Sequence, residues 1–169
     1  DMEGSRGLGD VYKRQDSNQV RINDVVGHAF FARAYGYLSL TRLWGDVPVW
    51  TSLPDSDNIH KEKTPSKEVY QQIIADATQA KALLNGSAGN GFPKEHAASM
   101  LLSKVYMQLA TNPNLQADGM SEMSYWNLAY QEAKEVYDSG DYQLVSDYAT
   151  LFDGSNENST ESIFELQLA

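Results

Sequence analysis

Apolar residues recur along the chain in stretches spaced by three and four positions, the period of a helix that buries one face. Ala34, Tyr37, Leu38, Thr41 and Leu43–Trp44 form the first such face, and Ile22, Val25–Val26, Ala29 and Phe30 extend it backwards. The pattern predicts a helix from about Ser17 to Trp44. Gly45 follows the last periodic residue, where glycine adopts a left-handed conformation without steric cost. Pro48 then prevents the helix from resuming. The chain therefore leaves in extended form, with Val47 and Val49 as apolar anchors.

Thr51 to Lys63 is a polar connector. Thr64-Pro65 reads as an N-cap followed by proline at the first helical position. Val69, Ile73, Ala77, Ala80 and Leu84 predict a second helix, stopped at Asn85-Gly86. A glycine-rich turn, Gly86 to Gly91, leads to Pro93 and a third helix through about Ala110. Its face is Ala97–Ala98, Leu101–Leu102, Val105, Tyr106 and Leu109, and Thr111-Asn112-Pro113 ends it. The fourth begins near Ser124 with Trp126, Ala129, Tyr130, Ala133, Val136 and Tyr137 on one face, and Ser139-Gly140 closes it. A helical turn is expected around Tyr148 to Phe152. Ile163 to Leu168 alternates apolar and polar residues, as a β-strand does, although no partner strand is evident.

The predicted fold is all-α: antiparallel helical hairpins with the small-against-large packing of tetratricopeptide pairs, plus a short C-terminal β-strand. Residues 1–16 carry Gly4, Gly7 and Gly9 without any apolar period, and are read as a non-native or disordered flank. Residues 17–169 form one partial helical domain.

Composition narrows the function. The chain of 169 residues is 41% hydrophobic, with 10 tyrosines and 3 tryptophans, so it can bury a core. Amphipathic rings in that number suit packed hairpins or sugar-binding surfaces. Twenty-three acidic against 13 basic residues give a net charge of −10, which argues against nucleic acid and anionic lipid as partners. The absence of cysteine excludes disulfides and thiolate metal sites. No run of about 18 apolar residues is present to span a bilayer as a helix.

Motifs of catalysis are missing. His28, His60 and His96 fall on separate elements with no HExxH pairing, and read as surface or helix-face residues. No Gly-x-Ser-x-Gly elbow occurs. Asp55/Asp57 and Glu132/Glu135 read as solvated acidic pairs. Asp153-x-Ser155-x-Glu157 has Asn158 where a calcium loop needs glycine and Phe164 where it needs glutamate. Gly86 to Gly91 lacks the Lys-Ser/Thr of a phosphate loop. No cofactor is implied. Among the tryptophans, Trp126 starts an apolar stripe and is expected in the core, and Trp44 is expected to pack beside Gly45. Trp50, entering a polar loop, is the candidate for an exposed ring stacking on a sugar.

The run Ala29-x-x-x-Arg33-Ala34-x-x-Tyr37-x-x-Leu40-x-x-x-Trp44-Gly45-Asp46-Val47-Pro48-Val49 resembles the signature helix and turn of the SusD/RagB family. Further blocks follow in that family's order: Glu68-Val69-Tyr70-x-x-Ile73-x-x-Asp76, Ala97-Ala98-x-x-Leu101-Leu102-x-x-Val105-Tyr106, Trp126-x-x-Ala129, Ser139-Gly140-x-Tyr142-x-Leu144, Leu151-Phe152 and Glu161-Ser162-Ile163-Phe164-Glu165. His28 and Phe30 depart from the pattern, at positions usually acidic and basic. The resemblance implies an internal fragment of an outer-membrane lipoprotein on the outer cell surface, covering the tetratricopeptide-like half. It implies non-catalytic binding of oligosaccharides or other nutrients and their delivery to a TonB-dependent, SusC-like transporter. The lipid-bearing cysteine and most glycan contacts would lie outside these residues. Two other classes are compatible with the residues alone: a helical-repeat interaction scaffold without a ligand, and a glycan hydrolase, which needs a carboxylate pair in a cleft.

Overall fold

The computed structural model describes residues 3–54, 56 and 59–166, with side chains from residue 18 onward. Four α-helices run in order: α1 (Glu3–Trp44), α2 (Ser66–Leu83), α3 (Glu95–Ala110) and α4 (Glu122–Ser139). Short 3-10 turns occupy Pro113–Leu115 and Tyr148–Leu151. Cross-links descend along one helix as they ascend the next. Asp24 meets Asn85, Arg33 meets Asp76 and Asp46 meets Ser66, so α1 and α2 are antiparallel. His96 meets Tyr142, Ser103 meets Ala129 and Tyr106 meets Tyr125, so α3 and α4 are also antiparallel. Contacts between α2 and α3 join the two hairpins into one stack.

The core lies between these helices. Val69, Ile73, Ala77, Ala80 and Leu84 are all buried, as are Ala97, Ala98, Leu101, Leu102, Val105, Tyr106 and Leu109. Both predicted faces are thus the packed ones. Alanines at Ala34, Ala77, Ala80 and Ala98 let neighbouring backbones approach, and the larger side chains fill the remaining space.

α1 and α4 differ from expectation in phase. The buried stripe of α1 is Asp24, Gly27, Phe31, Ala34, Leu38 and Thr41, alternating steps of three and four. Ile22, Val25 and Val26 instead face outward, and so do Leu43 and Trp44, the latter 66% exposed. The helix carries two apolar stripes, and the predicted one merged them. Gly27 explains the choice, because a Cβ there would stand 3.0 Å from the Leu84 side chain and 3.1 Å from its backbone nitrogen. α1 has to bring its narrow side to α2. On α4 the buried residues are Tyr125, Ala129 and Val136, while Tyr130 and Tyr137 are exposed. Trp126, expected in the core, is exposed and donates its indole N–H to Glu122 at 3.2 Å.

The α1 backbone is helical from Glu3, well before Ser17. The expected flank over 1–16 concerns residues whose side chains are not described. No strand forms among the described residues, whose sole bridge pairs Val47 with Thr64. Residues 163–166, the described part of the expected C-terminal strand, adopt neither helix nor strand. Phe164 docks on Phe31 instead, ring centroids 5.4 Å apart.

Candidate functional site

The turn after α1 is held from several directions. Gly45 adopts φ +72°, and its N–H donates to the Thr41 carbonyl at 2.9 Å. The Thr41 hydroxyl donates back to the Gly45 carbonyl at 2.8 Å. Asp46 reaches the start of α2, where one carboxylate oxygen accepts from both the Ser66 N–H and the Ser66 hydroxyl, each at 2.7 Å. Those donors hold the Asp46 carboxyl below its ordinary pKa, because they favour the ionised form. Asp46 thereby supplies the cap that Pro65 cannot. Val47 and Val49 are buried, and the Thr64 N–H donates to the Val47 carbonyl at 3.0 Å.

Trp50 sits at the end of this strap. Its backbone N–H donates to the Tyr37 hydroxyl at 2.7 Å, while Lys61 donates to the Val49 carbonyl at 2.6 Å. The indole is half-buried, and its N–H is enclosed without a hydrogen-bond partner. Trp50, Thr51, Ser52, His60, Lys61 and Glu62 line a hollow of about 310 Å³. An aromatic flank beside hydroxyl, imidazole, ammonium and carboxylate groups can hold a polar ligand with apolar faces. The ring expected to be exposed is half-buried.

Arg33 stiffens the same region from α1. Its Nε and Nη2 donate to the two oxygens of Asp76 at 2.7 Å each, and Nη1 donates to the Thr51 carbonyl at 3.3 Å. The hydrogen bond to Asp76 raises the guanidinium pKa further, overcoming the opposing effect of burial. Phe30 lies against the same group, ring centroid 5.5 Å away.

A larger hollow of about 540 Å³ opens at the other end of α2, between the α2–α3 turn and residues 158–165. Asp24 fixes its edge by accepting from the Asn85 N–H at 2.9 Å, the Ser87 hydroxyl at 2.8 Å and the Ala88 N–H at 3.0 Å. Burial alone would raise the Asp24 carboxyl, but these donors outweigh it and hold the pKa below the ordinary value.

The remaining candidates are dispersed. His28 stacks on Phe92, His60 lines the Trp50 hollow, and His96 is buried on α3. His96 is thus a packed residue, its Nδ1 3.2 Å from the Tyr142 hydroxyl. Glu132 and Glu135 converge on Lys81 at 2.8 and 2.5 Å, so they tie α4 to α2 and are not a free solvated pair. Asp55 and Asp57 lie outside the described residues. Asp153 accepts locally from the Ser155 N–H at 2.8 Å. No cluster of three metal-ligating side chains occurs among the described residues. Sequence reasoning missed the Arg33–Asp76 pair, the Asp24 knot and the larger hollow. The signal for the first was a charged residue inside each of two apolar helical faces.

Stacked antiparallel hairpins with a strapped Trp-Gly-Asp-Val-Pro-Val turn define a helical-hairpin fold class. The chain belongs to the SusD-like family, described as starch-binding and associating with the outer membrane, whose model matches residues 7–107. It is 31% identical over 146 residues to the SusD-like protein P2 of Formosa agariphila, covering 83% of this chain and 26% of that protein. It is 28% identical over 146 residues to a SusD-like protein of Bacteroides ovatus, covering 84% of this chain and 26% of the relative. A crystal structure with xylogluco-oligosaccharide superimposes with a TM-score of 0.77 at 25% identity, covering 89% of this chain and 30% of that one. The chain thus spans about a quarter of the length of these curated relatives.

Proposed function

We propose that the protein to which this chain belongs binds glycans or other nutrients without altering them, on the outer surface of the outer membrane. It passes them to a TonB-dependent, SusC-like transporter, and a lipid anchor outside these residues attaches it to the membrane. Family membership supports the ligand class and the compartment. The observation that carries the reading to this chain is Trp50, a recessed indole on a rigid strap beside a polar hollow. In this role the ring face stacks on a sugar, and neighbouring polar groups bond its hydroxyls.

Isothermal titration with maltoheptaose and a xyloglucan heptasaccharide tests this, alongside chromatography of each sugar after incubation. Saturable binding with intact sugar is expected. Cleavage of either sugar would replace the reading with hydrolysis. Co-purification with a large β-barrel transporter tests the handover. A second reading, an interaction scaffold without ligand, is favoured by the outward stripe of Met123, Trp126, Tyr130 and Tyr137 on α4. It predicts protein partners and no sugar binding.

A further inference from the structure

The hollow at the α2–α3 turn has no part in the reading above, yet it is the more completely built of the two. At about 540 Å³ it falls within the roughly 300–1,000 Å³ typical of small-molecule sites. Its walls are fixed by named contacts. The Asp24 knot pins the turn that carries Asn90 and Phe92. Phe92 stacks on His28 behind it, centroids 5.2 Å apart and planes 27° apart, and remains 51% exposed. Tyr142, also in the lining, stands edge-on to buried His96 with centroids 5.6 Å apart.

The lining chemistry selects a ligand class. Three carboxylates, Glu95, Asp141 and Glu165, line the hollow against one ammonium, Lys94, which disfavours an anion. The absence of a metal-ligating cluster among the described residues disfavours a bare cation. An apolar ring beside an amide, a hydroxyl and carboxylates matches a neutral polyhydroxylated ring, with one apolar face and a rim of hydroxyls. We propose that this hollow is a second carbohydrate subsite, with Phe92 as its stacking floor and Asn90, Asp141 and Ser162 bonding the sugar hydroxyls. It lies past the C-terminal end of α2, whereas the Trp50 strap is tied through Thr51 and Arg33 to Asp76, midway along that helix, and the two hollows share no lining residue. The proposal rests on the glycan-binding reading.

Titration of the full chain with maltoheptaose and the xyloglucan heptasaccharide tests it, using wild type, Asn90→Ala, Phe92→Ala and Trp50→Ala. Asn90 is exposed on the turn, so Asn90→Ala keeps the fold, and an unchanged thermal midpoint checks this. For a sugar that binds wild type, Asn90→Ala weakens affinity about 3- to 10-fold and Phe92→Ala about 10-fold or more. If Asn90→Ala binds as wild type does, the subsite is overturned. If Trp50→Ala alone loses affinity, the subsite fails and the glycan reading stands. If wild type binds neither sugar, the glycan reading fails and the subsite with it.

Discussion

The Arg33–Asp76 pair yields an asymmetric prediction. Asp76 is 2% exposed at the centre of α2, whereas the Arg33 side chain is 28% exposed and reaches the Thr51 carbonyl. Replacing Arg33 by Met removes two charge-assisted hydrogen bonds of 2.7 Å and leaves Asp76 with the Gln72 amide, at 2.9 Å, as its remaining side-chain donor. A buried carboxylate stripped of its partner costs about 3–5 kcal/mol. Replacing Asp76 by Asn keeps the volume and leaves a guanidinium that still meets water and a carbonyl. That costs about 1–3 kcal/mol. With a urea dependence of about 2 kcal/mol/M, midpoints fall by about 1.5–2.5 M and about 0.5–1.5 M respectively. The double variant Arg33→Met/Asp76→Leu removes both charges and should recover much of the loss suffered by Arg33→Met. Urea unfolding followed by circular dichroism measures all three. Equal losses in the single variants, or a larger loss for Asp76→Asn, would refute the desolvation argument.

Other consequences are simpler. Gly45→Ala has room for its Cβ, with Ser66 Oγ 3.8 Å away, but forces alanine into φ +72°, so it should cost about 1–2 kcal/mol by the same assay. Ile73→Ala, wholly buried, should cost about 2–5 kcal/mol through lost transfer energy and a cavity, measurable as a fall in thermal midpoint. Asp24 has a folded-state pKa below its unfolded value, so its contribution is present above the ordinary carboxyl range and is lost as pH falls through the depressed value. The stability gap between wild type and Asp24→Asn should therefore be widest near neutrality and shrink on acidification to about pH 3. A gap that widens with acid would contradict the assigned donors.

How far the sequence could be read depended on how many faces each helix buries. α2 and α3 bear a single apolar period and were legible residue by residue. α1 and α4 bear two stripes each, and periodicity cannot say which one meets the neighbour. The deciding features were Gly27, whose missing Cβ admits Leu84, and Tyr125, one position before the more conspicuous Trp126. The turn was legible as a turn because Gly45 and Pro48 mark it, but the reach of Asp46 across to Ser66 depends on tertiary placement. The same holds for Asp24, a carboxylate inside a helix that caps a turn more than sixty residues away in sequence. Over its described part, residues 163–166, the expected C-terminal strand does not form, for a related reason. Alternation gives a residue its faces, while a ladder requires a second strand.

The central claim is that Trp50 gives this fold a sugar-binding surface without chemistry. Titration of maltoheptaose and the xyloglucan heptasaccharide into wild type and Trp50→Ala, with the sugar recovered afterwards, tests it most directly. The account predicts saturable binding by wild type, a loss of about 10-fold or more in Trp50→Ala at unchanged thermal midpoint, and sugar recovered intact. Affinity unaffected by the substitution, or sugar returned shortened, would contradict it.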